Sequence, residues 1–240
     1  MGQVIGHVAA LARFPVKSMA GEPLDQAEID WQGMEGDRQY AFVLAANATR
    51  FPWLTGRSVS EMVLHRARFA DPANPRGATV EVEAPDGWRG SLRDPGLAER
   101  LAAAAGEPVS LIQLGLGAYD AMPVSIVSTA GHALVEAAHG SALDPRRFRT
   151  NIIVESDAPE RAWCGKRLAF GEDGGGDGAE LLVTSPIDRC AMITIDPDTG
   201  VRDPSVLRTV AQAFGNQYGV YAAPARKGMV RVGDKVRIVA

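Results

Sequence analysis

One cysteine in this sequence stands where a thiol could do chemistry. Cys190 directly follows Arg189 and precedes residues 191–195, which are predicted to form a strand. A neighbouring cation favours the thiolate, which is the nucleophilic form of cysteine and a ligand for soft metals. The alternative is an inert small apolar residue, which is the expectation for Cys164. Cys190 is therefore the first candidate for a catalytic or metal-binding residue.

Basic and polar side chains that suit an anionic ligand are scattered along the chain. They are Lys17 and Ser18, Arg38, and the group Arg146, Arg147, Arg149 and Asn151. A guanidinium group fits two phosphate oxygens, while Ser and Asn offer uncharged hydrogen-bonding groups for the edge of a heterocycle. If residues 144–151 are extended, Arg147 and Arg149 share a face. For each residue alone, the alternative is a solvated surface charge.

Two carboxylates follow the cysteine in a DPDTG turn. Asp196 and Asp198 fit a structural role there, because Asp side chains in turns accept hydrogen bonds from backbone N–H groups. Proton delivery is a second hypothesis for them. The four histidines lack the spacing of a zinc site, and the sequence contains no Walker loop, dinucleotide-binding GxGxxG or nucleophile elbow.

Composition narrows the class of protein that must position these residues. The 240 residues are 46% apolar and 22% charged, which is enough for a packed core and excludes global disorder. A net charge of −4 argues against a general nucleic-acid or membrane-surface binder. Two cysteines exclude a disulfide framework. The sequence shows neither a signal peptide nor an apolar run long enough to span a membrane, so we expect a soluble, cytoplasmic protein.

The pattern of elements predicts a β-rich α+β fold, with strands in meanders and a few short helices outside. Strands are predicted at 3–14, 24–31, 38–45, 62–69, 78–84, 88–92, 150–155, 180–185, 191–195 and 229–239. Three helices are predicted from a capping residue at the start and a glycine at the end: Asp94 to Gly106, Ser128 or Thr129 to Gly140, and Asp203 to Gly215.

Six segments occur in an order typical of one known family. They are FPVKS (14–18), GMEGDR (33–38), MPVSIVS (122–128), DPRRFRTNIIVE (144–155), DRCAMITIDPDTG (188–200) and GMVRVGDKVRI (228–238). Together they resemble the molybdenum cofactor sulfurase C-terminal (MOSC) superfamily, in the branch that includes the amidoxime-reducing components. The resemblance implies an N-terminal β-barrel-like module at 1–118 and a β-barrel MOSC core at 119–240, which together form one cofactor-binding unit.

The same resemblance implies a cofactor and a site. The cofactor is Mo-molybdopterin, and Cys190 corresponds to the family's cysteine ligand to molybdenum. The cofactor-binding positions fall on Lys17, Ser18, Arg38, Ser128, Arg147, Arg149 and Asn151. Asp196 or Asp198 is the hypothetical proton donor.

The implied activity is reduction of small N-hydroxylated compounds. Electrons are expected from a separate protein, because two cysteines cannot hold a cysteine-rich iron–sulfur module. No pyridoxal phosphate domain is expected, and neither nucleic acid nor a membrane is an expected partner.

Two alternatives remain open at this point. The chain could carry the molybdenum cofactor, or relay sulfur on Cys190, without turnover of its own. It could also be a metal-free enzyme with a cysteine nucleophile, although the sequence offers no histidine base near Cys190.

Overall fold

Apolar side chains from seven strands meet inside a closed barrel. The computed structural model describes residues 2–47, 49, 51–171 and 176–239. Its strands are β1 (Gln3–Arg13), β2 (Glu22–Leu24), β3 (Gln26–Asp30), β4 (Gly33–Met34), β5 (Tyr40–Leu44), β6 (Arg66–Phe69), β7 (Val80–Glu83), β8 (Arg89–Ser91), β9 (Val109–Gln113), β10 (Val124–Ser128), β11 (Ile152–Glu155), β12 (Arg167–Phe170), β13 (Glu180–Asp188), β14 (Gln217–Arg226), β15 (Gly228–Arg231) and β16 (Lys235–Val239).

The barrel order is β1-β11-β10-β14-β13-β12-β16, and β16 pairs with β1 to close it. The β10–β11 pair is parallel, and the other barrel pairs are antiparallel. Alternate residues such as Leu181 and Val183 point inward and are completely buried, because successive side chains on a strand face opposite sides. The predicted β-rich α+β class with a barrel core is confirmed.

A second apolar core lies in the N-terminal half. The β5–β9 ladder, the β6-β7-β8 sheet and the first helix surround Phe42, Leu54, Met62 and Leu97. In the N-terminal half, β1 belongs to the barrel, and β3 pairs with β15 near the C-terminus. Strand pairing therefore crosses the division at 118–119, which itself stays a prediction.

The three α-helices begin and end at the predicted residues. They are α1 (Pro95–Ala105), α2 (Thr129–His139) and α3 (Pro204–Phe214). Asp94, Ser128 and Asp203 each accept a hydrogen bond from a backbone N–H in the first turn. Each helix ends at a glycine with positive φ. None of the helices among the described residues is both long enough and apolar enough to cross a bilayer.

The chain forms 3-10 helices in part of two predicted strands and in the segment whose extended form was considered for Arg147 and Arg149. Short 3-10 helices occupy Ser60–Leu64, Pro145–Phe148 and Ala191–Thr194, and a further one lies at Glu160–Trp163. At the second, Asp144 accepts a hydrogen bond from the backbone of Arg146, and Pro145 follows. The same Asp–Pro signal starts α1 and α3. Residues 145–148 are therefore not extended, and the condition under which Arg147 and Arg149 would share a strand face is not met. The strand expected at 191–195 is wrong.

Candidate functional site

Seven of the predicted site residues line one cavity beside the barrel. The cavity has a volume of about 300 Å³. The seven are Lys17, Ser18, Arg38, Arg147, Arg149, Asn151 and Cys190. They come from the loop after β1, the loop before β5, the segment ahead of β11 and the end of β13. Folding therefore gathers residues that are up to 173 positions apart in the sequence. Their roles in binding a cofactor stay predictions.

Cys190 presents its thiol to this cavity. The residue is exposed and is not in a disulfide. It lies just after β13, in an extended conformation that leads into the 3-10 helix Ala191–Thr194. Cys164 is partly buried against the barrel core instead, and burial raises the pKa of its thiol. The two cysteines thus have different environments, and Cys190 is the one that faces the cavity.

The backbone is in an unfavourable conformation at three of the cavity residues. Ser18, Arg38 and Arg149 have φ values of 69°, 49° and 53°. In the described part of the chain, Asn216 is the one other non-glycine residue with positive φ. Such conformations cost about 1–3 kcal/mol each and cluster at functional sites. Their concentration around one cavity marks it as the candidate site.

Lys17 is the most buried cation of the cavity, at 6% exposure. Its Nζ donates to the carbonyl of Ala118 at 2.6 Å and to Oδ1 of Asp120 at 2.8 Å. Burial lowers the pKa of Lys17, and the carboxylate of Asp120 offsets only part of this effect. Burial would raise the pKa of Asp120, but the charges of Lys17 and Arg38 hold it below its usual value.

Arg38 and Arg149 share the ring of Phe14. Their guanidinium carbons lie 4.9 Å and 4.3 Å from its centroid. Arg38 is paired with the buried carboxylate of Asp37 and donates to the carbonyl of Arg149 at 3.0 Å. Burial lowers the pKa of Arg38, but Asp37 more than compensates, so that pKa lies above its usual value.

Arg149 has no carboxylate partner within 4 Å among the described residues. Its Nη1 donates to the carbonyl of Met19 at 2.7 Å, while its Nη2 is buried and makes no hydrogen bond. Burial, followed by the charge of Arg38, lowers the pKa of Arg149 to about 9, so the group remains a cation at neutral pH. An unpartnered buried guanidinium nitrogen is costly and suits an anionic ligand.

Arg189 is a cavity residue that was not among the predicted site residues. Its Nε and Nη1 donate to the carbonyls of Tyr218 and Phe148 at 2.7 Å and 2.9 Å. Its Nη2 is buried without a partner, and burial lowers its pKa. A Cβ at Gly219 would lie 2.8 Å from that nitrogen, and the φ of 78° at this residue also favours glycine. In the sequence, the signal for Arg189 was its position next to Cys190. That position predicted only that the cation favours the thiolate, not that Arg189 lines the site.

Ser128 lies outside the cavity. It is completely buried, caps α2, and donates from its hydroxyl to Glu160 at 2.7 Å. Ser125 lines the cavity instead and donates to the side-chain oxygen of Asn151 at 2.8 Å. Residues three apart on a strand face opposite sides, so β10 cannot direct both serines to the same place. The role of Ser128 as a cap is confirmed, and Ser125 is the serine of this strand that reaches the site.

Asp196 and Asp198 also lie outside the cavity. Asp196 accepts hydrogen bonds from the backbone and hydroxyl of Thr199, and it pairs with Arg147 at 2.6 Å. Asp198 is exposed and pairs with Arg146. Both carboxylates are therefore engaged in the turn and its ion pairs. The hypothesis that either delivers a proton stays untested.

The charge of the cavity wall is strongly positive. Six basic side chains line it, against the carboxylates of Asp120 and Asp188. Apolar side chains complete the wall: Phe51, Met122, Phe148, Ile187, Met192, Ile193 and Tyr221. In the described residues, no three His, Cys, Asp or Glu side chains are grouped so that they could hold a metal ion. The wall thus offers one thiol, a set of cations and an apolar face.

Two family models match consecutive parts of the chain. The MOSC domain model matches residues 114–237, and the MOSC N-terminal beta barrel domain model matches residues 5–121. Among solved structures, YuaD protein from Bacillus subtilis is similar in fold, with a TM-score of 0.52 at 16% identity. The likeness covers 97% of this chain and 94% of that one.

Relatives in sequence include several proteins named molybdenum cofactor sulfurase. Molybdenum cofactor sulfurase 3 from Aedes aegypti is 36% identical over 87 residues, which are 34% of this chain and 11% of that protein. Molybdenum cofactor sulfurase from Drosophila grimshawi is 28% identical over 257 residues, which are 91% of this chain and 32% of that protein. The chain thus spans about a tenth to a third of the length of these relatives. On the strength of the two family models, this chain belongs to the MOSC domain family.

Proposed function

We propose that this chain binds the molybdenum cofactor, Mo-molybdopterin, in the cavity and uses it to reduce small N-hydroxylated compounds. One observation carries the proposal. The exposed thiol of Cys190 shares a cavity with Arg149 and Arg189, each of which has a buried nitrogen without a hydrogen-bond partner. A soft sulfur ligand and uncompensated cations suit a ligand that combines a soft metal with a phosphate group.

The residues present fit this cofactor. Cys190 would be the protein ligand to molybdenum, and Arg149 and Arg189, whose buried nitrogens lack partners, would bind the phosphate group. Lys17 and Arg38, which Asp120 and Asp37 hold in place, would add positive charge beside it. Ser18 and Asn151 offer uncharged polar groups to the heterocycle. The chemistry that the bound cofactor supplies is two-electron removal of oxygen from an N–O bond, with electrons replenished by a separate protein.

The chain itself would bind and orient the substrate. The apolar side chains of Phe51, Met122 and Tyr221 lie in the same cavity as Cys190 and offer a surface for the body of a small organic molecule. Asp188 and Asp120 are the carboxylates of the wall. Binding in this cavity would place the substrate near the thiol and away from the engaged carboxylates of Asp196 and Asp198. Location in the cytoplasm stays a prediction.

The test is to produce the chain in a host that makes the cofactor, and then to measure molybdenum content and reduction of benzamidoxime with an artificial electron donor. Wild-type protein is expected to retain molybdenum and to form benzamidine. Cys190→Ser is expected to lose metal or turnover, because a hydroxyl is a poorer ligand than a thiolate here. Cys164→Ser is the matched control and should retain both. Wild-type protein that retains no molybdenum would overturn the proposal.

A second candidate function is carriage of the cofactor, or relay of sulfur on Cys190, without turnover. What favours it is that several sequence relatives are named molybdenum cofactor sulfurase. It uses the same cavity and the same cysteine. Stoichiometric molybdenum without reduction of benzamidoxime would support the carrier, whereas catalytic reduction would support the enzyme.

A further inference from the structure

A second cavity lies on the other side of the arginine-rich wall. Its volume is about 730 Å³, more than twice that of the first cavity, which is about 300 Å³. The two cavities share Arg147, Arg149 and Met192. The first strand of the barrel and the turn that follows β7 also contribute to the second cavity, which therefore separates the barrel from the N-terminal sheets.

The floor of the second cavity is apolar. Leu11, Phe14, Val63 and Ile195 line it and are almost completely buried. The half-buried side chains of Leu64 and Met192 extend this surface. A volume of several hundred cubic ångströms with an apolar floor is typical of a site for a small organic ligand.

The mouth of the second cavity is cationic. Arg66 and Arg68 are exposed residues of β6 that line the cavity, and neither has an ion-pair partner within 4 Å in the described part of the chain. In the cross-strand ladder they face Glu83 and Glu81, but the side chain of Glu83 is paired with Arg89. Arg66, Arg68 and Arg89 thus share this face with the two carboxylates of Glu81 and Glu83, so one positive charge is in excess at the entrance.

The carboxylates of the second cavity are already neutralised. Glu22 is buried in an ion pair with Arg13, Glu83 is paired with Arg89, and Asp198 is paired with Arg146. The charges that remain without an ion-pair partner in this wall are therefore positive. An apolar floor with an uncompensated positive mouth complements a molecule with a hydrocarbon body and one negative end.

We propose that the second cavity is a binding site for an apolar monoanion, of which a medium-chain carboxylate is the simplest example. The hydrocarbon part occupies the floor between Leu11 and Ile195, and the carboxylate lies at the mouth with Arg66 and Arg68. This site adjoins the cavity that holds Cys190 and shares Arg147, Arg149 and Met192 with it, but Cys190 does not line it. Its ligand requires neither molybdenum nor turnover, so it can be tested whether or not the proposed function holds.

The experiment is calorimetric titration of the cofactor-free chain with decanoate below its critical micelle concentration. Butanoate tests the contribution of the tail, and decylammonium, which has the same tail and the opposite charge, tests the head group. Decanoate is expected to bind at least about tenfold more tightly than butanoate, because each buried methylene group contributes favourably. Decylammonium is expected to bind more weakly than decanoate by a similar factor.

Variants locate the site. Arg66→Gln combined with Arg68→Gln is expected to weaken decanoate binding about fivefold or more, because it removes both cations at the mouth. Both residues are exposed, so the double variant should keep the fold intact. Arg161→Gln combined with Arg208→Gln removes the same charge from exposed positions that do not line this cavity, and should change the affinity less than about twofold. Equal binding of decanoate and decylammonium, equal effects of the two double variants, or no saturable binding of decanoate would each overturn the proposal.

Discussion

Two pairs of arginines near the cavities differ in the groups that hold them. Arg146 and Arg147 are bound to carboxylates, with Asp144 and Asp198 around the first and Asp196 on the second. Arg149 and Arg189 donate to backbone carbonyls, and each retains a buried nitrogen without a partner. All four side chains carry the same guanidinium group. Carboxylates balance the charge of Arg146 and Arg147, whereas the described residues place no carboxylate within 4 Å of Arg149 or Arg189.

This difference separates structural cations from cations available to a ligand. A carboxylate neutralises an arginine and ties two loops together, as Arg147 and Asp196 do for the segments before β11 and after β13. A carbonyl orients a guanidinium group but leaves its charge uncompensated. The partner of an arginine is therefore a better guide to a binding role than the residue type alone.

The largest effect is expected when Arg149 is removed, and Arg146 is its matched comparison. Arg149→Ala should reduce molybdenum content to less than about a tenth of the wild-type value, since charge-assisted hydrogen bonds to a ligand each contribute about 1.5–3 kcal/mol. Arg146→Ala should retain most of the metal, because its charge is already compensated. The measurement is molybdenum per chain, with thermal unfolding to show that both variants fold. Equal losses in the two variants would break the comparison.

The second prediction concerns pH. Burial lowers the pKa of Lys17 and that of Arg149, the latter to about 9, whereas the carboxylates of Asp144 and Asp198 raise the pKa of Arg146. The protonated forms bind anions, so affinity should fall as pH rises through these lowered pKa values. Inorganic phosphate is expected to bind the wild-type chain several-fold more weakly at pH 10 than at pH 7.

Lys17→Met is the companion variant for this titration. It should bind phosphate more weakly at neutral pH and lose part of the decline with pH, because one of the two titrating cations is gone. An unchanged pH dependence in this variant would assign the decline to other groups.

Local signals in the sequence were sufficient for the helices and for four of the seven barrel strands. Asp94 with Gly106, and Asp203 with Gly215, mark helix ends through contacts made within one turn, so neighbouring residues determine them. The strands β10, β12 and β14 were not predicted. In β14, Gly219 and Pro224 interrupt the strand pattern. The place of β14 between β10 and β13 depends on the closure of the barrel, which no local segment encodes.

The site could be predicted as a set of residues but not as a geometry. Lys17 meets Asp120 across 103 positions, and no local pattern indicates that pair. The left-handed conformation of Arg149 appears only once the 3-10 helix before it is formed. In β10, the family resemblance implied Ser128 for the site, while strand geometry directs Ser125 to it. Long-range contacts and the direction of each side chain decide these details.

A smaller effect is expected when the carboxylate of a structural pair is removed. Asp196→Asn should lower the free energy of unfolding by about 1–2 kcal/mol, because its carboxylate binds Arg147 and the backbone of the turn. Asp198→Asn should cost less than about 1 kcal/mol, since that pair is exposed. Urea denaturation at pH 7 measures both.

The pH dependence of this contribution has a definite sign. Burial alone would raise the pKa of Asp196, but hydrogen bonds in the turn and the charge of Arg147 hold it below 3.8. Its stabilising contribution is therefore present above that value and is lost as the pH falls through the lowered pKa.

Turnover of the variant that carries both Asp196→Asn and Asp198→Asn tests the hypothesis of proton delivery. Undiminished turnover at every pH would remove that hypothesis, and a loss that depends on pH would support it.

The smallest effect extends the comparison from arginines to a hydroxyl. The Oγ1 of Thr150 is buried without a hydrogen-bond partner, whereas the Oγ1 of Thr194 donates to the carbonyl of Ala191 at 2.8 Å. Thr150→Val should raise the free energy of unfolding by up to about 1 kcal/mol, because it removes an unsatisfied polar group while keeping the branched shape. Thr194→Val should lower it by about 1 kcal/mol, since a carbonyl loses its donor. If both variants shift the free energy of unfolding in the same direction, the hydrogen-bond partner of a buried polar group does not decide its energetic contribution in this fold. The distinction between Arg146, which is paired with carboxylates, and Arg149, which has an unpartnered nitrogen, would then lose its basis as well.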